Sequence, residues 1–249
     1  MKIMKSNNKI EIALVTGAGG AIGSAIAKKL GKDGFIVVCV DNNESLVRQV
    51  AMSIPNAVHH VVDVSIESDL VSLRADLNST IGDPTLIVNC AGIFFLHDLI
   101  ETDTKVYDQI MDINLKGTFL VCKTFIPAFL LAGKGIIINI ASTAGLEAGF
   151  HRSIYSAAKA GVILLTRSIS ADYGAKGVRA NCICPGLIDT PMAEWLRSDP
   201  IAFKRWEKSL PAQRVGNVEE IASVVSFLAS DASSYMHGST VVVDGGSMV

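Results

Sequence analysis

Short apolar runs rich in Val and Ile alternate along the chain with longer segments in which apolar residues recur at helical spacing. The short runs predict strands at residues 10–16, 35–41, 57–63, 86–89, 136–141, 178–184 and 240–244. The periodic segments predict helices at residues 21–30, 44–52, 67–81, 104–131, 153–173 and 218–230. Because strands and helices alternate as in repeated βαβ units, we expect an α/β fold with one doubly wound, seven-stranded parallel sheet.

The chain is expected to form a single domain over residues 1–249. Its 249 residues, 49% of them hydrophobic, can bury one large core, and no linker interrupts the pattern. The segment 190–211 follows the sixth predicted strand and has aromatic side chains but no strand pattern. We therefore expect a helical lid over a substrate site there.

Composition and charge narrow the possible partners. The net charge of −2 provides no basic surface for nucleic acid or an anionic membrane. The apolar runs are shorter than the roughly 18 residues that a membrane span needs, and residues 1–9 lead into no signal core, so a cytoplasmic protein is expected. Most of the five cysteines lie among Val, Ile and Leu, which favours packing, and Cys182 and Cys184 alone do not make a metal site.

A glycine-rich turn at residues 16–23 joins the first strand to the first helix. Such a turn is a weak signal by itself, but at this position it predicts a site where the backbone approaches a dinucleotide pyrophosphate. Asp41 ends the second strand, where an acid accepts hydrogen bonds from the adenosine ribose and repels a 2′-phosphate. Since neither the turn nor residues 42–45 contain Lys or Arg, NAD is favoured over NADP. The alternative is that Asp41 only begins a turn.

Tyr155 and Lys159 lie four residues apart in the predicted helix 153–173, so both side chains project from one face. A free tyrosine has a pKa near 10, whereas acid–base work near neutral pH requires a lower pKa. A neighbouring ammonium group could lower it. This spacing also occurs often by chance, so the pair becomes informative only together with the surrounding motifs.

The ordered motifs resemble those of the short-chain dehydrogenase/reductase family, and the resemblance covers nearly the whole chain. The matching segments are Thr16, Gly17 and Gly23 in the turn, 89–92 after the fourth strand, 184–190 after the sixth strand, and 244–246 near the C-terminus. The chain departs from the family pattern at Ala21, which replaces a glycine, and at Cys90, which replaces an asparagine. The resemblance implies a Rossmann-type fold and a metal-independent, NAD-dependent alcohol dehydrogenase or ketoreductase. It also implies a homotetramer assembled through the two long helices and the last strand.

The resemblance further assigns roles to individual residues. The implied catalytic tetrad is Asn114, Ser142, Tyr155 and Lys159. Tyr155 would exchange the hydroxyl proton, Ser142 would orient the substrate oxygen, and Lys159 would lower the pKa of Tyr155 and bind the nicotinamide ribose. Asn114 would hold a proton-relaying water. The implied cofactor-binding residues are Gly17, Gly19, Gly20, Ala21, Ile22, Gly23, Asp41, Asp63, Val64, Asn89, Ala91, Gly92, Tyr155, Lys159, Pro185, Gly186, Ile188 and Thr190.

The substrate is less well defined by the sequence. Arg152 precedes Tyr155 by three residues and could pair with a substrate anion, as in similar family members that act on small hydroxy acids or hydroxyalkyl sulfonates. Arg197, Lys204, Arg205 and Arg214 are candidates for a second basic group. The expected substrate contacts are Ser142, Arg152, Tyr155 and Trp195. The alternative is an Arg152 that is simply solvated.

Three functions therefore remain open at this stage. The first is an NAD-dependent dehydrogenase of a small, anionic or neutral, secondary alcohol. The second is a 3-oxoacyl carrier-protein or CoA reductase, which Asp41 opposes because such enzymes usually prefer NADPH. The third is an NAD-binding sensor or scaffold without catalysis, which the intact Ser142, Tyr155 and Lys159 oppose.

Overall fold

The structure is a computed structural model that describes residues 11–249, without the side chains of residues 195–198 and 202. Its strands form one parallel sheet in the order β3-β2-β1-β4-β5-β6-β7, which confirms the predicted architecture. The strands are β1 Ile12–Thr16, β2 Ile36–Asp41, β3 Val58–Val61, β4 Leu86–Asn89, β5 Gly135–Ile140, β6 Val178–Pro185 and β7 Thr240–Val243.

Helices connect the strands and cover both faces of the sheet. They are α1 Ala21–Lys32, α2 Glu44–Met52, α3 Glu67–Thr80, α4 Thr104–Met111, α5 Gly117–Ala132, α6 Ser153–Tyr173, α7 Pro200–Ser209 and α8 Val218–Leu228. The single helix predicted at 104–131 is divided by a π-helical turn at Asp112–Lys116. The expected lid consists of a 3₁₀ helix at Pro191–Ser198 followed by α7.

Strand β1 shows why the apolar runs are continuous. Ala13 and Val15 belong to the core cluster with residues of α1 and α8, whereas Leu14 belongs to the cluster on the other face with residues of α3 and α5. All three side chains are fully buried. A parallel sheet covered on both faces buries successive residues, so its strands lack polar alternation.

The α4–α5 segment, Thr104–Ala132, is long and apolar enough to cross a membrane by length and composition alone. Of the most apolar stretch of 18 residues in this segment, 50% is buried inside the fold. On α5 the segment includes the fully buried Phe125, which belongs to the same core cluster as Leu14.

The strand order reverses between β1 and β4, because the chain crosses from β3 at one edge back to the middle of the sheet. Helices leave on opposite faces at such a switch point, and a crevice opens at the carboxyl ends of the strands. The fold therefore brings the end of β1, with its glycine-rich turn, next to the end of β4.

Candidate active site

A cavity of about 670 Å³ opens at this crevice. It extends from Asp41 at the end of β2 to Tyr155 in the first turn of α6. Sequence-predicted residues that line it are Gly17, Gly20, Ala21, Ile22, Gly23, Asp41, Asp63, Val64, Ala91, Gly92, Asn114, Ser142, Arg152, Tyr155, Lys159, Pro185, Gly186, Ile188 and Thr190. The fold thus brings most of the predicted site residues to one cavity.

The glycine-rich turn has no room for a side chain at Gly17 or at Gly23. A Cβ at Gly17, whose φ is +65°, would lie 2.7 Å from backbone atoms of Ala91, and one at Gly23 would lie 2.1 Å from the Gly17 carbonyl oxygen. Helix α1 begins after Gly20, which has no side chain to accept hydrogen bonds from the first turn. This helix terminus faces the cavity with backbone N–H groups, and such a terminus suits an anionic pyrophosphate.

Both carboxylate oxygens of Asp41 are oriented by backbone groups. Oδ2 accepts a hydrogen bond from Gly19 N at 2.9 Å, and Oδ1 accepts one from Asn43 N at 2.9 Å. Gly19 does not line the cavity among the described residues. Its backbone N–H instead orients Asp41, which does line the cavity. Asp63 also lines the cavity, while its Oδ1 accepts hydrogen bonds from the backbone N and hydroxyl of Ser65.

Asn89 is a predicted cofactor-binding residue whose side chain lies in the core. Its side chain is buried behind the cavity, where Nδ2 donates a hydrogen bond to Asn139 Oδ1 at 2.8 Å. Asn139 in turn donates to Thr166 Oγ1 at 2.8 Å. Asn89 therefore joins β4 to β5 inside the core and does not line the cavity among the described residues.

Tyr155 lies among three groups contributed by different elements. Ser142, which follows β5, lines the cavity beside it and acts to lower the pKa of its hydroxyl. The Phe94 ring meets it edge-on at 4.9 Å between centroids. Lys159 Nζ lies 5.7 Å from the Tyr155 ring centroid and donates a hydrogen bond to Ile140 O at 2.9 Å. Helical spacing places Tyr155 and Lys159 on one face, as predicted.

Burial dominates the ionisation of this pair. It raises the pKa of Tyr155 to about 12, although Ser142 and the positive charge of Arg152 act in the opposite direction. Burial also lowers the pKa of Lys159 to about 8. The sequence predicted that Lys159 lowers the pKa of Tyr155, but Lys159 is not among the causes of the shift in this structure, where burial of the phenol outweighs Ser142 and the positive charge of Arg152. Tyr155 is thus a protonated hydroxyl at neutral pH.

Asn114 is fully buried in the π turn and holds the loop after β4. Its Nδ2 donates hydrogen bonds to Ile93 O at 3.0 Å and Ile110 O at 2.9 Å, and its Oδ1 accepts one from Ile93 N at 3.3 Å. A Cβ at Gly92 would lie 2.7 Å from Asn114 Oδ1. The extra residue of a π turn is a common device at functional sites, and here it turns Asn114 toward this loop.

Arg152 lines the substrate end of the cavity. Its Nε is buried and has no hydrogen-bond partner among the described residues. Nor does any ion pair of the described residues involve its guanidinium group. An arginine in this state is able to bind an anionic ligand with charge-assisted hydrogen bonds.

The candidates for a second basic group do not meet Arg152 among the described residues. Arg214 instead pairs with both carboxylate oxygens of Glu220, at 2.9 and 2.7 Å. Lys204 and Arg205 are exposed and do not appear on the cavity wall. The side chains of Arg197 and Trp195 lie outside the described residues, so their predicted contacts stay predictions.

Sequence reasoning did not assign several residues of the substrate end. Phe94, Glu147, Met192 and Trp206 line the cavity there. Trp206 was expected only as a lid aromatic, and Phe94 follows the 89–92 motif by two residues, which is a signal that could have suggested it. Phe94, Met192 and Trp206 surround the polar centre at Tyr155 with apolar and aromatic groups, as is usual for small-molecule sites, whereas Glu147 adds a carboxylate to the wall.

The fold and the cavity define a dinucleotide-binding oxidoreductase, and comparisons with known proteins assign it to a family. The family model described as enoyl-(acyl carrier protein) reductase matches residues 17–248. The chain is 34% identical over 242 residues to 2-(R)-hydroxypropyl-CoM dehydrogenase of Xanthobacter autotrophicus, which covers 94% of this chain and 97% of the relative. Galactitol 2-dehydrogenase of Cereibacter sphaeroides is also 34% identical, over 94% of this chain and 93% of that protein.

A solved structure agrees with these relatives. Gluconate 5-dehydrogenase from Burkholderia cenocepacia, in complex with NADP and tartrate, superposes with a TM-score of 0.90 at 31% identity, over 95% of this chain and 94% of that chain. The chain belongs to the short-chain dehydrogenase/reductase family. It is an alcohol dehydrogenase or ketoreductase that acts on CH–OH groups, and its family binds a nicotinamide dinucleotide.

Proposed function

We propose that the protein is an NAD(H)-dependent enzyme that interconverts a small secondary alcohol and its ketone, with an anionic group of the substrate bound at Arg152. One observation carries this proposal. Tyr155, Ser142 and Arg152 meet at one end of a cavity whose other end is the carboxylate of Asp41. The cavity thus places a proton-transferring group and an anion-binding group at the substrate end and a ribose-binding carboxylate at the other end, as a dinucleotide-dependent reaction requires.

The residues present fit the dinucleotide. The N-terminus of α1 would hold the pyrophosphate, Asp41 would accept hydrogen bonds from the adenosine ribose, and Lys159 would donate to the nicotinamide ribose. Bound NAD would supply the hydride acceptor, and NADH the hydride donor. Asp41 supports NAD over NADP, because its oriented carboxylate would repel a 2′-phosphate and no Lys or Arg lies in residues 42–45.

The protein's own groups would move the proton. Ser142 would donate a hydrogen bond to the substrate oxygen and orient it, and the Tyr155 hydroxyl would give its proton to the carbonyl oxygen during reduction. During oxidation Tyr155 must accept the alcohol proton, which requires the phenolate that burial disfavours. The positive charge of Lys159 would favour that phenolate. Asn114 would fix the loop beside Lys159, and the predicted relay water stays a prediction.

Arg152 supplies the substrate preference in this proposal. Replacing it with Ala should raise KM for small hydroxy acids by about tenfold or more, since a charge-assisted hydrogen bond is worth roughly 1.5–3 kcal/mol. KM for neutral alcohols of the same size should change little. Steady-state kinetics with paired acids and neutral alcohols checks this, and an equal rise for both would show that Arg152 does not bind a substrate anion.

We also propose a cytoplasmic homotetramer. The elements that the family resemblance assigns to the interfaces have exposed apolar side chains, namely Phe119 and Leu131 on α5, Leu164 on α6 and Val242 on β7. Burial of such side chains against a second copy would stabilise an assembly. Light scattering coupled to gel filtration measures the mass, and a monomeric mass would contradict the tetramer.

A further inference from the structure

Two loops meet at the substrate end of the cavity. One follows β4 and contains His97 and Asp98, and the other precedes α6 and contains His151. The backbone N of His97 donates a hydrogen bond to His151 O at 2.8 Å, and His151 Nδ1 lies 3.0 Å from Asp98 Oδ1. We name these two contacts the 97–151 clasp. The clasp fixes the residue directly before Arg152 to the neighbouring loop.

The backbone of Gly149 forms the surface against which the Arg152 guanidinium lies. A Cβ at Gly149 would be 2.0 Å from Arg152 Nε and 2.3 Å from both Cζ and Nη2. No larger residue can occupy position 149 while the guanidinium keeps this place. Because the atoms in the way belong to the end of a flexible side chain, a methyl group there would displace the guanidinium and leave the backbone in place.

The backbone turns at His151, which lies between Gly149 and Arg152 in the sequence. Its φ of +58° is in the left-handed region, where histidine is among the few residue types found with some frequency. The turn brings the Arg152 side chain back over Gly149 just before α6 begins at Ser153. Held in this way, the Arg152 charge acts on Tyr155, and its Nε is buried without a partner among the described residues.

We propose that Gly149, His151 and Asp98 are positioning residues that hold the Arg152 guanidinium at the cavity wall for a substrate carboxylate or sulfonate. The inference rests on the proposed function, because it gives Arg152 the anion. Gly149 provides the space, and the 97–151 clasp fixes the turn. These residues thereby select acids over neutral alcohols without touching the reacting atoms.

The variant Gly149→Ala tests the steric part. The matched control is Gly174→Ala, because a Cβ at Gly174 would meet only His237 Nδ1, at 3.4 Å, and atoms farther away. The probes are racemic 3-hydroxybutyrate and racemic 4-methyl-2-pentanol, in which an isopropyl group replaces the carboxylate. We expect Gly149→Ala to raise KM for the acid about tenfold, the scale of one lost charge-assisted hydrogen bond. KM for the neutral alcohol, KM for NAD and the unfolding temperature should stay unchanged, as in the control.

The variant Asp98→Asn tests the clasp, with Glu67→Gln as a control that removes the exposed Lys123–Glu67 ion pair elsewhere. Because the His151 and Asp98 side chains are 54% and 56% exposed, their contact is weak, and KM for the acid should rise only about twofold. His151→Asn should retain most of the affinity for the acid, since asparagine also tolerates a positive φ. His151→Ala should retain less of it.

The outcomes separate this inference from the proposed function. Suppose that Arg152→Ala raises KM for the acid selectively, but Gly149→Ala raises it no more than Gly174→Ala does. The positioning role is then wrong, and the anion site stands. If Arg152→Ala affects acid and neutral alcohol equally, the proposed anion site is wrong and the inference falls with it. The same holds if the wild type neither oxidises the acid nor is inhibited by it.

Discussion

Lys159 loses its proton at a lower pH than an ordinary lysine, because burial lowers its pKa from 10.5 to about 8. Below pH 8 folding must bury the ammonium group, whereas the unfolded chain keeps it in water. Between pH 8 and 10.5 the unfolded state therefore binds more protons than the folded state, and stability rises with pH in this window. The residue needed at the site thus lowers the stability of the fold at neutral pH.

The variant Lys159→Met should remove this pH dependence. Relative to the variant, the wild type should gain about 2 kcal/mol of unfolding free energy between pH 7 and 9.5, at ~1.4 kcal/mol per pKa unit. Urea unfolding of both proteins without cofactor, at one protein concentration, measures the difference. Parallel pH profiles for the two proteins would contradict the burial of a titrating ammonium group at this position.

Single residues also show where sequence reasoning reached its limit. The motif that contains Asn89 was found, but its side chain points toward Asn139, and no pattern in one sequence indicates to which side a strand-end amide turns. Arg214 was a candidate anion ligand because it is basic, yet Glu220 occupies its guanidinium group. Tyr155 and Lys159 could be paired in advance because helical spacing alone relates them.

At the scale of elements, the sheet is joined at its switch point by a side chain. Thr16 Oγ1, at the end of β1, accepts hydrogen bonds from Cys90 N at 3.1 Å and Ala91 N at 3.2 Å, just after β4. These backbone groups border the cavity. The hydroxyl therefore fixes the spacing between the glycine-rich turn and the loop that carries Gly92.

The variant Thr16→Val should destabilise the protein by about 1–3 kcal/mol, because it removes two hydrogen bonds at nearly unchanged volume and each is worth about 0.5–1.5 kcal/mol. Thr118→Val is the matched control, since the Thr118 hydroxyl donates to the carbonyl of Asn114 in the adjoining π turn and its loss leaves no N–H group without an acceptor. The control variant should lose less unfolding free energy than Thr16→Val. Chemical denaturation compares the two, and an equal or smaller loss for Thr16→Val would refute the role given to its hydroxyl.

Most elements could be predicted from their apolar spacing and their bounding residues. Strand β4, helix α2 and helix α6 have the predicted bounds, and the other strands differ at their ends by one or two residues. The π turn at Asp112–Lys116 was missed, because one added residue shifts the apolar pattern of a long helix too little to be seen. That turn is nevertheless what directs Asn114 into the site.

At the scale of the whole molecule, the cavity is lined by elements from both halves of the sheet. A ligand that spans it should therefore stabilise the folded chain as one unit. At a concentration of 100 times Kd, NAD should add roughly 2.7 kcal/mol to the unfolding free energy. NADP at the same concentration should add much less, because of Asp41.

Thermal unfolding with each nucleotide measures this preference. The expected rise with NAD is about 5–10 °C for a chain of this size. The variant Asp41→Ala should reduce the rise with NAD and narrow the gap between the two nucleotides. Equal stabilisation of the wild type by NAD and NADP would show that Asp41 does not select the cofactor.

The central claim is that the Tyr155 hydroxyl transfers the proton in a hydride-transfer reaction. Its most direct test compares wild type and Tyr155→Phe on the best substrate from a screen of hydroxy acids, sulfonates, polyols and acyl thioesters. We expect kcat/KM to fall by about 10²–10⁴-fold or more, while NAD still raises the unfolding temperature of the variant. Turnover of Tyr155→Phe within tenfold of the wild type would contradict the claim.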